Sequence, residues 1–429
     1  MIYKNSKPLL ALFGLLSFLT PFAFAEQVTL KVWSMPGHDW GSEEAHRQIV
    51  SEFESLNPDI KIDLTLLPER GFKDRVSTAL GSESSVPDVF PMAKDGWRPQ
   101  AMDLAPFVEA DPGISSDLFF GPVWRTRAMA AGKNSALPVG IGVNIVLYNK
   151  DVFDAAGVKY PNPDWTTEDY IELTKAIAKP KQGVWGGDRP KDAFRAIWHN
   201  YDAHVYSDDS TTVQGHYNSD QSLAAFEWYW DLVNKGVTPK PSTMKTLGTE
   251  GTGPVDLFIA GRLGMATLNP THMLRALREG VNFGVLPEPA GPSKERHANV
   301  WSGSLGMYGK TKYPEAAWKY MSFVAGIPGQ RITMNGETKM FPSIPSLWSE
   351  HPHIDFEGVK VAKSMLEWPI VRDFDGSHMC WRAAVRRVDK TFELIGLNQL
   401  KRSEIKASLD SEIPTLQKAL DDCVPRLGN

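Results

Sequence analysis

Residues 142–177 read GVNIVLYNKDVFDAAGVKYPNPDWTTEDYIELTKAI, and this stretch carries the local signals that decide the fold. Its apolar, β-branched start predicts a strand centred on residues 143–148, which leads into a helix. The stretch Asp164–Asp169, with Thr166 and Thr167 followed by two acidic residues, predicts a threonine cap for a second helix over YIELTKAIAK. A strand that feeds helices in this way is typical of an α/β chain.

The region before this stretch repeats the same alternation. It predicts a strand, a helix, a strand, a helix and a strand, in QVTLKVWSM, SEEAHRQIVSEFESLNP, DIKIDLTLLP, FKDRVSTALGS and PDVFPM. In the first helix the apolar residues Ala45, Ile49, Val50 and Phe53 form one stripe, as in an amphipathic helix. Strands that alternate with helices favour a mostly parallel sheet with crossover helices.

The region after it continues the pattern with longer loops. SDQSLAAFEWYWDLVNKG predicts a helix closed by Gly236, SLGMYG a strand and YPEAAWKYMSFVAG a helix. VDLFIAGRLGMATLNPTHM predicts helix, turn, strand and loop. The segments KPKQGVWGGDRPKD and LPEPAGPSKERHANVW are rich in Gly, Pro and polar residues and predict loops.

Length and composition indicate a secreted two-lobe protein. The chain has 429 residues, 42% hydrophobic and 23% charged, which is ordinary for a globular protein but too long for one core. Lys4 and Lys7, an apolar run and Ala23-Phe24-Ala25 predict a cleaved signal peptide over residues 1–25. Its removal takes the formal net charge from −5 to −7. This mild acidity disfavours nucleic acid or an anionic membrane as a partner.

Cys380 and Cys423 are the two cysteines of the chain. In an oxidising compartment such a pair most simply forms one disulfide, although two free thiols stay an alternative. His351 and His353 have no second pair at metal-ligand spacing, so no metal and no cofactor are expected. GMYGKT lacks the first glycine of a phosphate loop, and SGSLG lacks the first glycine of a nucleophile elbow.

Polar-aromatic loops follow two of the predicted strands. Asp39 and Trp40 end the loop after the first strand, and Asp95 and Trp97 follow PDVFPM. The carboxyl ends of strands face the ligand crevice of an open α/β sheet. A carboxylate beside an indole suits a sugar, whose hydroxyls and C–H face it can bind. The alternative is that these are turn residues and buried tryptophans.

Several stretches together resemble the extracellular solute-binding proteins of ABC sugar importers, the maltose-binding-protein-like family. They are VLYNKDVFDAAG with Pro161 and Trp165, then FIAGRLGM, YPEAAWKYMSFV and SVPDVFPM. The resemblance spans nearly the whole mature chain. It implies a two-lobe periplasmic-binding-protein fold, with an α/β sheet in each lobe and a hinge between them.

The resemblance also implies the lobe boundaries and the function. Lobe one would hold residues 26–142 and 303–338, and lobe two residues 143–302 and 339–429. The chain would cross between them near Gly142, near Trp301 to Gly303, and near Met340 to Ser343. The implied protein is a monomeric, non-catalytic periplasmic binder that closes on a sugar and passes it to importer membrane subunits.

The resemblance adds binding candidates on the second lobe and hinge: Asn144, Asp188, Trp198, Asn269, Trp301, Gly303 and Arg372. Gly142 stands where the maltodextrin binders tend to carry a carboxylate, so maltose itself is not expected. Glycerol-3-phosphate stays an alternative ligand, through Arg70, Lys73 and Arg98, as do other polar solutes. A secreted carbohydrate-active enzyme is the alternative from another class, because paired carboxylates cannot be located from sequence.

Overall fold

The computed structural model describes residues 27–37, 41–125, 134–189, 194–209, 211–240, 243, 253–336, 341–370 and 390–422. The strands are β1 (Val28–Ser34), β2 (Ile60–Leu66), β3 (Val89–Pro91), β4 (Leu137–Val143), β5 (Ile145–Asn149), β6 (Met265–Leu268), β7 (Phe283–Leu286) and β8 (Val300–Met307). The helices are α1 (Glu43–Leu56), α2 (Glu69–Ser82), α3 (Ala105–Ala110), α4 (Gly121–Val123), α5 (Lys150–Ala156), α6 (Thr167–Ile177), α7 (Phe194–Asn200), α8 (Asp220–Asn234), α9 (Pro254–Ile259), α10 (Pro270–Arg278), α11 (Pro314–Ala325), α12 (Ile327–Asn335), α13 (Glu357–Met365) and α14 (Ile405–Asp421).

Two sheets organise these elements, and the predicted α/β class is confirmed. The first sheet has the order β2-β1-β3-β8-β4, with β1 parallel to β2 and β3 and with β8 antiparallel to β3 and β4. The second has the order β6-β5-β7, and in it β5 runs antiparallel to both neighbours. The first sheet is therefore mixed and the second antiparallel, which differs from the predicted mostly parallel arrangement. A strand buried on both faces has the same apolar pattern in either direction, so the direction of pairing could not be inferred from that pattern.

The chain passes between the sheets at one narrow place. Only Asn144 separates β4 from β5. Beside it β8 enters the first sheet, with Val300 opposite Val143 and Trp301 opposite Gly142. Phe341 forms a bridge to Ile141 of β4, so a third segment also touches this place. The lobe boundaries given above stay a prediction.

Local signals explain most of the helix ends. The Thr166 hydroxyl accepts a hydrogen bond from Asp169 N while the Asp169 carboxylate accepts one from Thr166 N, so the predicted cap of α6 is confirmed as a capping box. The prediction of a loop at residues 269–273 is wrong. Asn269 caps α10 and Pro270 occupies its first turn, where the fixed φ of proline favours a helix.

Separate apolar clusters support the two sheets. Under the first sheet, Phe53 of α1 packs edge-on against Tyr320 and Phe323 of α11. In the second sheet Val146 belongs to one cluster and Leu147 to another, because successive strand residues point to opposite faces. The second sheet is therefore buried on both faces, and its edges and strand ends are left for function.

Candidate functional site

The carboxyl ends of strands from both sheets converge on the Asn144 crossing. In the first sheet Pro91, at the end of β3, lies nearer to the crossing than Val89, since they pair with Leu305 and Met307 of β8. In the second sheet Leu268 ends β6 opposite Ile145. Ligands of open α/β sheets bind outside the carboxyl ends of the strands. The crossing is therefore the candidate site.

Three polar residues, Asn269, Asn144 and Glu288, form what we call the crossing edge of the second sheet. Continuing the register of β5 with β6 and β7 by one or two residues places Asn269 on one side of Asn144 and Glu288 on the other. The Asn269 oxygen accepts a hydrogen bond from His272 N at 2.9 Å. This oxygen is thus committed to capping α10, and the adjacent pair Asn144 and Glu288 remains.

Glu288 is a fully buried carboxyl group, and Asn144 beside it is 6% exposed. Within the described part of the protein, neither carboxylate oxygen of Glu288 nor Nδ2 of Asn144 makes a hydrogen bond of good geometry, and their polar contact is with each other. Burial raises the pKa of Glu288 well above its ordinary value, and the hydrogen-bonding contact with the Asn144 amide opposes that rise. Most buried polar groups are hydrogen-bonded, so this pair requires an explanation.

Sequence reasoning selected Asn144 but missed Glu288. Glu288 lies in LPEPAGPSKERHANVW, whose Gly, Pro and polar residues predict only a loop. A signal was present, because a single carboxylate stands between two prolines directly after an apolar strand.

Asp188 lies beside β6 and has partners for both carboxyl oxygens. Tyr170 Oη donates to one oxygen and Thr267 N to the other, each at 3.1 Å. Its side chain is buried, and this burial raises the pKa of Asp188 to about 7. Because Thr267 belongs to β6, the Asp188 carboxyl connects its own loop to this strand.

The indole of Trp301 lies directly over the backbone of Gly142. A Cβ atom at Gly142 would stand 2.3 Å from Cε2 of Trp301, closer than any real contact. Trp301 itself is partly exposed. Glycine is therefore required at residue 142 for the ring to lie across β4, and the ring offers an aromatic surface beside the crossing.

Two other predicted tryptophans lie in apolar cores. Trp97 is 4% exposed, packs on Phe72 and Phe90, and donates from Nε1 to Ser77 Oγ at 3.1 Å. Trp198 is fully buried in the cluster beneath the second sheet. Gly303 lies within β8, paired with Gly140.

The remaining predictions fall outside what the structure describes. They concern the signal peptide, Asp39, Trp40 and Arg372, the Arg70 and Asp95 side chains, and the Cys380–Cys423 disulfide. Among the described residues, no group of three or more His, Cys, Asp or Glu is arranged to hold a metal ion. In the same residues, no helix combines the length and apolar character that a membrane span needs.

A surface cavity of about 490 Å³ lies at the other end of β5. Two of its polar lining groups are already bonded within the protein. Asn149 caps α5 and also donates to Phe258 O, and Lys179 Nζ donates to Ala155 O. The poorly hydrogen-bonded pair Asn144 and Glu288 is a stronger indication of a ligand than this cavity.

Two α/β sheets joined by crossing strands, with strand ends that converge on the crossing, define the two-lobe class of binding proteins. Residues 40–331 match the bacterial extracellular solute-binding protein family, and the chain belongs to this family.

Several known binding proteins and solved structures are similar to this chain. A putative binding protein of Brucella abortus is 25% identical over 297 residues, 65% of this chain and 67% of the relative. The erythritol/L-threitol-binding protein of Mycolicibacterium smegmatis is 20% identical and covers 81% of this chain and 79% of its own. The Listeria monocytogenes ABC substrate-binding protein in complex with cycloalternan superposes with a TM-score of 0.76 at 19% identity, over 92% of this chain and 99% of that one. The Agrobacterium vitis protein with bound D-mannitol gives a TM-score of 0.68 at 18% identity, over 93% and 99%.

Gly142→Ala should lower the free energy of unfolding by about 1–3 kcal/mol, since the new methyl group collides with the Trp301 indole. Urea denaturation measures the change. Gly81→Ala is the control, because no atom lies within 4 Å of its added Cβ in α2 and alanine favours the helix. Equal effects of the two substitutions would contradict the close approach of Trp301.

Asp188→Asn should remove a pH dependence of stability. Because the pKa of Asp188 in the folded protein is about 7, above its ordinary value of 3.8, its protonation stabilises the fold at low pH. That stabilisation, roughly 4 kcal/mol, is lost as the pH rises from about 4 through about 7. Urea denaturation across this range should show a flatter profile for Asp188→Asn, whereas exposed Asp63→Asn should reproduce the wild-type profile. Parallel profiles for all three proteins would exclude this role.

Proposed function

We propose that this chain is the substrate-binding component of an ABC importer and that it captures a sugar or sugar alcohol at the Asn144 crossing. It works as a monomer in the periplasm after removal of residues 1–25 and delivers its ligand unchanged to the membrane subunits. The two lobes are residues 26–142 with 303–338, and residues 143–302 with 339–429.

The observation that carries this proposal is the Trp301 indole, partly exposed where strand ends of both sheets meet. Ligand sites combine apolar or aromatic surface with a few placed polar groups. A sugar or polyol presents a C–H surface to such a ring and hydroxyl groups to the residues around it. Trp301 and Asn144 supply these two kinds of contact within one short segment.

The names of relatives support a polyhydroxylated ligand. They include a binder of erythritol and L-threitol, a mannitol-binding protein of Pseudomonas aeruginosa, and solved structures with tagatose and mannitol. Ligands of this type carry several hydroxyls and no charge. We therefore propose a small sugar or sugar alcohol, with an oligosaccharide as the larger member of the same class.

A phosphorylated ligand has less support than a sugar or sugar alcohol, because Arg98, one of its candidate contacts, is already engaged within the protein. Arg98 is 8% exposed, and its Nη1 donates to Ser135 Oγ at 2.6 Å. This guanidinium is thus engaged inside the first lobe. Asp95, whose loop follows β3, stays a proposed contact for hydroxyl groups.

Binding would act through lobe closure. A ligand that contacts both lobes stabilises the closed form more than the open form, and this difference in affinity is what shifts the equilibrium. Small-angle scattering of the protein with and without its tightest ligand tests this step, and the radius of gyration should fall on binding. A tight ligand that leaves the radius of gyration unchanged would count against closure.

Trp301→Ala should weaken the best ligand of a sugar and polyol panel at least tenfold, about 1.4 kcal/mol, because the stacking surface is lost. A thermal-shift screen selects the ligand, and calorimetric titration measures the dissociation constant.

Trp230→Ala is the matched control. Trp230 lies on α8, is also partly exposed, and donates from Nε1 to Leu400 O at 2.9 Å. This variant should keep wild-type affinity. If both variants bind as tightly as the wild type, the ligand does not lie on Trp301.

A further inference from the structure

We propose that Glu288 and Asn144 form a subsite that recognises two neighbouring hydroxyl groups of the ligand. This inference rests on the proposed function and names residues and ligand chemistry for it. Glu288 offers carboxyl oxygens and Asn144 an amide N–H, and in the described part of the protein none of these atoms makes a well-formed hydrogen bond apart from the contact of the two side chains with each other. A vicinal diol supplies the complement, since one hydroxyl can donate to the carboxyl group and the other can accept from the amide.

The position of the pair suits a ligand that also contacts Trp301. Asn144 is two residues from Gly142, over which the indole lies, so the two backbone positions are about 7 Å apart in an extended chain. This separation is comparable to the width of one sugar ring. Glu288 lies at the same place, because the register of β5 with β7, continued by two residues, puts Glu288 opposite Asn144.

The backbone around Glu288 is held in place on both sides. Trp165 Nε1 donates to Pro287 O, and Asn200 Nδ2 donates to Pro289 O, each at 2.9 Å. The two prolines that flank Glu288 also have a fixed φ. A binding group held by such supporting contacts is preorganised, so it loses little freedom when a ligand binds.

A purely structural role of Glu288 would predict that its side chain stabilises the ligand-free protein. A carboxyl group that stabilises the fold needs good partners within the protein, and Glu288 has only the contact with the Asn144 amide in the described residues. The raised pKa of Glu288 points the same way, because burial outweighs that contact and disfavours the charged form. Glu288 should therefore reduce the stability of the ligand-free protein and increase its affinity for ligand.

Glu288→Met and Asn144→Leu test the proposal, with stability of the ligand-free protein and affinity measured separately. Glu288→Met should raise the apparent Tm of the ligand-free protein by about 2 °C or more, because it removes a buried carboxyl group that only the Asn144 amide contacts. Both variants should bind the tightest of erythritol, mannitol and tagatose at least tenfold more weakly, about 1.4 kcal/mol. Glu288→Gln, which keeps an acceptor and a donor in the same volume, should restore binding to within about threefold of the wild type.

The matched control is Glu412→Met. Glu412 is also a buried carboxylate, but it pairs with Lys390 Nζ at 2.9 Å. This substitution should lower the Tm and leave affinity unchanged.

The outcomes separate this inference from the proposed function. If the wild type binds none of the three probes and no other sugar of the panel, both fall together. If the wild type binds but Glu288→Met and Asn144→Leu bind equally well, only the subsite is excluded. A lower Tm for Glu288→Met would also exclude it, since Glu288 would then be a structural group of the fold.

Discussion

The pairing of β4 with β8 is the constraint on which the rest of the structure depends. Both strands belong to the first sheet and both connect to the second at the same place, beside Asn144. A strand pair that links two sheets fixes where their edges meet. It also concentrates the ends of other strands there, so one local interaction sets both the architecture and the position of the site. Gly142 is part of this constraint, because any side chain at that residue would displace Trp301 from the strand pair.

The sequence was sufficient for the local elements and for the α/β class. The amphipathic stripe of α1 and the capping box of α6 are short-range signals, and both occur where they were expected. The direction of β5 was not predictable in the same way. An apolar strand buried on both faces has the same pattern in either direction, and the direction of β5 shows only in its pairing with β6 and β7, which lie far away in the sequence. The loop predicted at residues 269–273 failed because a proline after an asparagine suits a turn and also a helix start.

The candidate site shows the same division between local and long-range information. Asn144 and Trp301 could be selected because they lie at strand ends that a family resemblance places near a hinge. Trp97 and Trp198 have similar sequence neighbours, yet both lie in apolar cores. An indole beside polar residues says little about its exposure, since the ring can turn to either side of a loop. Glu288 could be found only after the register of β5 with β7 was known.

Glu288 is a buried carboxyl group beside the crossing whose polar contact among the described residues is the Asn144 amide alone. Elsewhere in the described structure, buried carboxylates such as Asp188 and Glu412 have bonded partners. A sequence under selection for stability alone would favour an apolar side chain between Pro287 and Pro289, in a segment already fixed by Trp165 and Asn200. Natural proteins depart from such local consistency mainly at functional sites. The physical cost of Glu288 is therefore itself an argument that the crossing edge exists to bind something the protein does not contain.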